Sequence, residues 1–332
     1  MIGPEASPVL EVVDLHAHLE TRRGLVRAVD GVSFTVRAGE TLGLVGESGS
    51  GKTMTALSIL RLLPEPAGRI VKGQVRLLGE DLVTKSEREL RRIRGRRISM
   101  ILQDPQTSLN PVFTVGNQIV EALRVHRPDR RGTLWARAEE SLRRVKVAAP
   151  QERLRSFPHQ MSGGMKQRVV GAIALASEPR LLIADEPTTA LDVTIQLQYL
   201  QLLKEVQERM GLAMLFITHD FGIVARMCDR VAVMYAGRIV ESGPVRELFK
   251  APRHPYTEAL MASVPRMEGR VERLPSIEGQ PPALHRLPGG CRFAPRCRYV
   301  EERCRTEYPP SVRIDESHEA ACWRADPSRP NR

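Results

Sequence analysis

Gly46-Glu47-Ser48-Gly49-Ser50-Gly51-Lys52-Thr53 places its glycines, a lysine and a hydroxyl at the spacing G-x-x-x-x-G-K-[ST]. Residue types in this pattern grip phosphate. The glycines let successive backbone N–H groups turn toward one anion, and a helix N-terminus behind them adds partial positive charge. Lys52 is expected to reach the β- and γ-phosphates of a nucleoside triphosphate, and Thr53 to offer its hydroxyl to Mg²⁺. A dinucleotide loop fits less well. Counting from Gly49, Gly51 is in place but position 54 is methionine, so G-x-G-x-x-G fails.

Four further groups could complete a hydrolytic site. Leu181-Leu182-Ile183-Ala184-Asp185-Glu186 is an apolar run ending in two carboxylates. Asp185 would hold Mg²⁺ through water, and Glu186 is placed to polarise an attacking water. Gln103 ends the run Ser99-Met100-Ile101-Leu102, where an amide can touch both the metal and a mobile loop. His219 ends Leu215-Phe216-Ile217-Thr218. A histidine at a strand end is more often structural, but here it follows a second strand beside the acid pair, which favours a catalytic role. Ser162-Gly163-Gly164 opens a proline-free stretch to Ala176. A capping hydroxyl, two glycine N–H groups and a helix dipole there make a second anion-facing terminus.

Elements must deliver these groups. Thr41–Val45 reads as a buried strand into the phosphate loop, and 54–62 as the helix out of it. The continuous apolar runs before Gln103, Asp185 and His219 suit strands of a parallel sheet buried on both faces. Residues 10–45 alternate around Gly31 and Gly39, as a small antiparallel sheet does. Residues 104–178 read as mostly helical, with Leu134, Ala138, Leu142 and Val145 on one helical face. Val193 to Met210 reads as one long helix, and Cys228 as a buried core thiol in a helix after His219. Beyond Gly243 proline becomes frequent. The fold class is therefore α/β: a mostly parallel sheet core, an N-terminal antiparallel β subdomain and a helical subdomain. The expected boundaries are 1–242 for the nucleotide-binding domain, with its helical part at about 104–178, and 243–332 for a loop-rich extension.

Composition excludes several classes. No run approaches the roughly 20 apolar residues of a membrane span, and the Met1-Ile2-Gly3-Pro4-Glu5 start lacks a signal pattern. Membrane work is expected to go through partners. Lys+Arg 50 against Asp+Glu 39 gives a formal charge of +11. That charge suits solvated faces or anionic lipid better than nucleic acid, because no nucleic-acid motif accompanies it and aromatics are only 4%. Cys291, Cys297, Cys304 and Cys322 are spaced C-x5-C-x6-C-x17-C. This is not a zinc-ribbon spacing. Four thiolates there could hold zinc or an iron–sulphur cluster, or stay unliganded.

Taken in order, these motifs resemble the ATP-binding subunits of ABC transporters, whose fold is a P-loop NTPase. The resemblance makes 46–53 a Walker A loop, Gln103 the Q-loop, 161–165 the signature, 181–186 Walker B, 189–192 the D-loop with Asp192, and His219 the switch histidine. It implies a head-to-tail dimer in which Lys52 of one subunit and Ser162, Gly163 and Gly164 of the other contact the same ATP. It also makes Gln103 to Pro111 the groove that meets a permease. One family feature departs: Leu19 falls where an adenine-stacking aromatic is usual, with His18, Arg22 and Arg23 nearby. His254-Pro255-Tyr256-Thr257, Ile277-Glu278-Gly279-Gln280-Pro281-Pro282 and Cys291-Arg292-Phe293-Ala294-Pro295-Arg296-Cys297 look like the C-terminal extension of dipeptide and oligopeptide importer ATPases, the first of their two non-identical subunits in particular. By this resemblance the expected activity is ATP-driven peptide import with ATP and Mg²⁺, at the cytoplasmic face of the inner membrane. The implied partners are a second ATPase subunit, two permease subunits and, indirectly, a solute-binding protein. The resemblance also implies a [4Fe-4S] cluster on the four cysteines. Nickel-chelate or glutathione import is the neighbouring alternative. A soluble ABC ATPase acting on nucleic acid or ribosomes is a distant one, since the chain has one Walker A, one signature and no heptad run.

Overall fold

A computed structural model describes residues 7–126, 131–189, 191–263 and 276–325. Its described residues fall into two compact units. One draws on Met1–Leu10, Val36–Glu40 and Thr84–Phe216, the other on Glu11–Thr35, Thr41–Val83 and Ile217–Arg332.

The second unit carries the phosphate loop. Strands β1 (Leu10–Thr21), β2 (Gly24–Val36), β4 (Gly68–Leu77) and β5 (Glu80–Asp81) form its antiparallel sheet, in the order β2-β1-β4-β5. In β1 the inward residues are Leu10 and Val12, then Leu15 and Ala17. The alternation slips by one residue at Asp14, whose φ of 46° lies in the left-handed region. That bulge re-aims the strand without losing the buried face. Gly73 makes room for it, since a Cβ there would sit 2.4 Å from the Asp14 carbonyl oxygen.

β3 (Thr41–Val45) is buried throughout and runs parallel to β9 (Arg230–Tyr235), pairing Leu42 with Arg230 and Val45 with Val233. β9 pairs antiparallel with β10 (Arg238–Pro244), β10 with β12 (Glu319–Ala320), and β12 with β11 (Val312–Arg313). The extension is therefore less loop-like than its prolines suggest. It adds two short strands to this sheet and the helices Val245–Lys250, Pro255–Ala262 and Glu302–Thr306. A core cluster joins Val45, Val231, Val233 and Tyr235 of the sheet to Tyr256 and Phe293 of the extension.

In the first unit, β6 (Ile98–Ile101) pairs parallel with β7 (Leu181–Asp185), and β8 (Ala213–Thr218) lies beside β7. Helices Val115–His126, Arg131–Arg144 and Gly163–Leu175 pack together, and Leu134, Ala138, Leu142 and Val145 are all buried as their spacing predicts. The helix Val193–Met210 keeps its expected bounds. The Asp192 carboxylate caps it by accepting from the Ile195 N–H, and Gly211 closes it at φ 60°. Two expectations shift. The helix after the phosphate loop runs Lys52–Ile59, so Lys52 itself lies in its first turn. Cys228 is half-buried at the C-cap of helix Phe221–Met227, not inside it. Its sulfur instead fills space over Gly43, where a Cβ would come within 3.0 Å of it.

Candidate functional site

The phosphate loop leaves β3 through two positions only glycine can hold. Gly46 has φ 154°, and a Cβ there would lie 2.1 Å from the Met234 carbonyl oxygen. Gly51 has φ 108°, and a Cβ there would lie 2.2 Å from the Ala28 carbonyl oxygen. Any side chain would push the loop off the sheet. Lys52 is buried, and its Nζ donates to the carbonyls of Gly46 at 2.7 Å and Glu47 at 3.0 Å. The ammonium thus spans the mouth of its own loop, and Ser48, Gly49 and Thr53 face outward. The Ser50 hydroxyl is buried and has no hydrogen-bond partner among the described residues. A concave backbone, a held cation and open Ser48, Gly49 and Thr53 fit a triphosphate with its Mg²⁺.

The carboxylates stand at the end of β7. Asp185 is 2% exposed, as the last strand residue. Glu186 follows with φ 45°, a left-handed conformation rare for a residue with a side chain. Its Oε2 accepts from Gln103 Nε2 at 2.9 Å and from Thr189 Oγ1 at 3.0 Å. Gln103 and Glu186, 83 positions apart in sequence, are thereby brought together, Gln103 exposed and Glu186 half-buried at this edge. Thr189 is a partner that sequence reasoning placed only within a motif. Ala190, in the same D-loop stretch, lies outside the described residues. His219 is exposed just after β8, immediately before Asp220 caps the helix Phe221–Met227 through the N–H groups of Gly222 and Ile223.

Ser162 is the N-cap of helix Gly163–Leu175, and its hydroxyl accepts from the Met165 N–H at 3.4 Å. Ser162 and Gly163 are exposed, and a Cβ on Gly163 would meet nothing within 4 Å. Gly164 is different: a Cβ there would lie 2.6 Å from Ile195, in the helix that Asp192 caps. The helix that Ser162 caps therefore packs at Gly164 against the helix that Asp192 caps, and its exposed N-terminus presents backbone N–H groups outward. Leu19 and His18 are half-buried on β1, and Arg22 and Arg23 are exposed at the β1–β2 turn.

Cys291, Cys297, Cys304 and Cys322 line one cavity together with Phe293, Trp323 and Pro309. Burial pushes the thiols of Cys291 and Cys297 up and that of Cys322 to about 11, and repulsion among the four adds to this. Backbone N–H groups work the other way. Those of Phe293 and Ala294 favour the Cys291 thiolate, that of Tyr299 favours Cys297 and that of Arg324 favours Cys322. Half-buried cysteines lining one cavity, three of them with N–H donors on their sulfurs, are a donor set for a thiolate-bound centre. Among the described residues, no three of these sulfurs lie within 4.8 Å of one another. A single tetrahedral zinc with Zn–S of about 2.3 Å would draw them closer than that.

Sequence reasoning missed the polar ties of the extension. The Arg292 guanidinium is bonded to the Asp30 carboxylate and donates to the Ala236 carbonyl at 2.5 Å. Arg238 also donates to Asp30, at 3.2 Å, and stacks on Tyr308. His16 Nδ1 lies 3.0 Å from the other Asp30 oxygen. Burial alone would raise the Asp30 carboxyl, but the two guanidiniums and His16 outweigh it and hold it at about 2. Glu241, fully buried, accepts from the N–H groups of Arg253 and His254 and lies 2.8 Å from His318 Nε2. Only the spacing of histidines and arginines around the prolines hinted at these.

Comparison with known proteins places this geometry. Residues 29–189 match the family model described as ABC transporter, and residues 240–304 match the one described as Oligopeptide/dipeptide transporter, C-terminal region. The chain is 53% identical to the "Probable peptide ABC transporter ATP-binding protein y4tR" of Sinorhizobium fredii, over 98% of this chain and 97% of that protein. It is 48% identical to the oligopeptide transport ATP-binding protein OppD of Bacillus subtilis, over 97% of this chain and 90% of that one. Among solved structures it is similar to the ATP-binding cassette MJ0796, a dimer bound to ADP and Pi. There the identity is 27% and the TM-score 0.64, over 71% of this chain and 99% of the cassette.

Proposed function

This chain belongs to the ABC transporter ATP-binding proteins that carry the oligopeptide/dipeptide transporter C-terminal region, and we propose from that membership how its residues divide the work. It is an ATPase that powers peptide import, and its partners include membrane permease subunits. Among the described residues no helix is long and apolar enough to cross a membrane.

The backbone of Gly46 to Thr53 binds the ATP phosphates, and Lys52 releases its two loop carbonyls to take up the β- and γ-oxygens. Thr53, Gln103 and Asp185 would hold Mg²⁺, which supplies charge neutralisation on the phosphates. Glu186 orients and deprotonates the attacking water, its carboxylate aligned by Gln103 and Thr189. His219 contacts the γ-phosphate. Ser162, Gly163 and Gly164 offer their outward terminus to the ATP of a second ATPase subunit, so loss of the γ-phosphate loosens the pair. That subunit is a non-identical one, and a solute-binding protein feeds the permeases from the opposite face. The exposed Leu102, Val112 and Phe113 flank the Gln103 to Pro111 segment. They support permease docking there, which would put the chain against the cytoplasmic face of the membrane. The domain boundary at 242 belongs to the same proposal. Cys291, Cys297, Cys304 and Cys322 would hold a [4Fe-4S] cluster that serves as a structural staple. The wide spacing of the sulfurs and their N–H donors support this reading.

The observation that carries the hydrolytic reading is the Gln103–Glu186–Thr189 cluster at the end of β7. The test is uptake of labelled di- and tripeptides by cells whose only copy carries Lys52→Ala. Loss of uptake is expected. Uptake at the wild-type level would remove the chain from peptide import.

A further inference from the structure

The phosphate loop and the four-cysteine lobe lie in the same compact unit, and the Arg296 side chain joins them. Arg296 precedes Cys297 in sequence, and its side chain is 4% exposed. Two of its nitrogens donate to the Glu47 carboxylate: Nη1 to Oε2 at 2.7 Å and Nη2 to Oε1 at 3.0 Å. Two further hydrogens go to the extension, Nε donating to the Glu278 carbonyl at 3.0 Å and Nη2 to that of Ile277 at 3.3 Å. Nη1 also reaches the Tyr235 hydroxyl at 3.4 Å. The fork is thus fixed on one side by the lobe and holds a loop residue with the other.

Glu47 is the second residue of the phosphate loop, and the extension holds it twice. Besides its carboxylate on Arg296, its N–H donates to the hydroxyl of Tyr256 at 2.9 Å, in helix Pro255–Ala262. Its carbonyl meanwhile accepts from Lys52 Nζ. A carboxylate in a loop built for anions is electrostatically adverse. It repels the phosphates unless a cation cancels it, and a partly buried site is poorly screened by salt. Arg296 is that cation. Pairing also turns the carboxylate back toward the extension and leaves the loop's outward face to the phosphates.

We propose that Arg296 is a positioning residue for ATP binding. It neutralises and anchors Glu47, so the affinity of the phosphate loop depends on the four-cysteine lobe that holds Arg296 in place. The proposal goes beyond the catalytic roles given above. It uses only the premise that the loop binds ATP, which Lys52→Ala tests separately by abolishing binding altogether.

The test is equilibrium binding of a fluorescent ATP analogue to the full-length protein, with steady-state ATPase kinetics alongside. Arg296→Gln is expected to weaken binding about tenfold, raising KM for ATP with kcat little changed, because ground and transition states lose the same interaction. Arg296→Lys keeps the charge but gives up the bidentate fork, so a loss of about threefold, smaller than that of Arg296→Gln, is expected. Glu47→Gln removes the repulsion and is expected to tighten binding. The double variant Glu47→Gln/Arg296→Gln is expected to recover most of what Arg296→Gln loses. A residue that only helps the protein fold gives another pattern, in which every variant lowers kcat through a smaller active fraction and the double variant is the worst. Tyr256→Phe removes one acceptor and leaves the ring in place, so it samples the second anchor without disturbing the core, and about a threefold loss is expected. By reciprocity, a non-hydrolysable ATP analogue with Mg²⁺ is expected to slow amide exchange across residues 291–298 in wild type but not in Arg296→Gln. Wild-type affinity in Arg296→Gln, or a double variant as weak as that single one, would overturn the proposal.

Discussion

Asp30→Asn is the most direct probe of how the extension is fastened to the N-terminal sheet. The Asp30 side chain is 8% exposed and that of Arg292 is 6% exposed. The carboxyl sits at about 2, against an ordinary value of 3.8. At about 1.36 kcal/mol per unit, that depression corresponds to about 2 kcal/mol favouring the folded state at neutral pH. The sign follows from proton binding. The folded form resists protonation, so the contribution is whole above pH 3.8 and is lost as the pH falls through about 2. Substitution costs more than this, because asparagine keeps the shape but leaves the Arg292 guanidinium buried without its counter-charge. A loss of about 3 kcal/mol at pH 7 is expected, at the low end for a broken buried pair. Arg238, about one-third exposed, can turn to solvent and adds little. The assay is urea unfolding followed by tryptophan fluorescence in a Trp135→Phe background. That leaves Trp323, which lies in the extension, as the sole reporter. Adding Arg292→Met to Asp30→Asn is expected to restore much of the loss, since it removes the buried guanidinium that the first change leaves without a counter-charge. A loss below about 0.5 kcal/mol in Asp30→Asn would refute the reasoning, because that is the size of an ordinary surface change.

Three other outcomes are expected. Glu186→Gln should bind ATP normally while turnover falls by about 10²- to 10⁴-fold, as measured by phosphate release; normal turnover would move the base elsewhere. Burial holds the His254 ring at about 4, with Glu241 opposing this only in part. The unfolded chain therefore takes up the proton first, and stability should drop by up to about 3 kcal/mol as the pH falls from about 6.5 toward 4. Urea midpoints at pH 7 and pH 4.5 should show a drop in wild type that is much smaller in His254→Asn, where the cap acceptor survives; equal drops would assign the effect to other groups. Protein purified anaerobically should be brown, with iron and sulphide lost in Cys304→Ser. Colourless protein containing stoichiometric zinc, or no metal, would end the cluster reading.

The nucleotide motifs were legible because each is local. A glycine whose Cβ would strike a carbonyl, as at Gly46 and Gly51, must be glycine in any sequence that builds this turn. The apolar runs before Gln103 and Asp185 likewise allow little but buried strands. The long helix from Val193 to Met210 carries its start signal, Asp192, and its stop signal, Gly211, in sequence. The ties of the extension were illegible for the opposite reason. Arg292 and Asp30 are 262 positions apart, and Arg296 and Glu47 are 249 apart. Nothing in a stretch of arginines between prolines says which will be buried. The strands β11 and β12 escaped notice because two-residue strands show no period.

Those distant pairs bear on what the extension does. A lobe that was a mere appendage would meet the core through apolar packing and exposed charges, which removal leaves harmless. Here three acids on the core side, Asp30, Glu47 and Glu241, take partners from beyond residue 250. Glu241 and Asp30 are buried, and Glu47 stands in the phosphate loop. Cutting the chain after 242 would leave Glu241 without His318 and the N–H groups of Arg253 and His254, and Asp30 without Arg292. Asp30 would keep Arg238 and His16, but a carboxylate left buried without its partners, as Glu241 would be, costs several kcal/mol, against a total stability of about 5–15 kcal/mol for a domain. Evolution of an independent core would have replaced these acids with apolar or small residues. Their presence argues that the nucleotide-binding unit folds only with its extension. Residues 1–242 expressed alone should therefore give protein that cannot bind ATP, whereas residues 1–242 and 243–332 co-expressed as two chains should associate and bind it. Soluble, ATP-binding protein from residues 1–242 alone would show that these buried acids find other partners and that the extension is dispensable for folding.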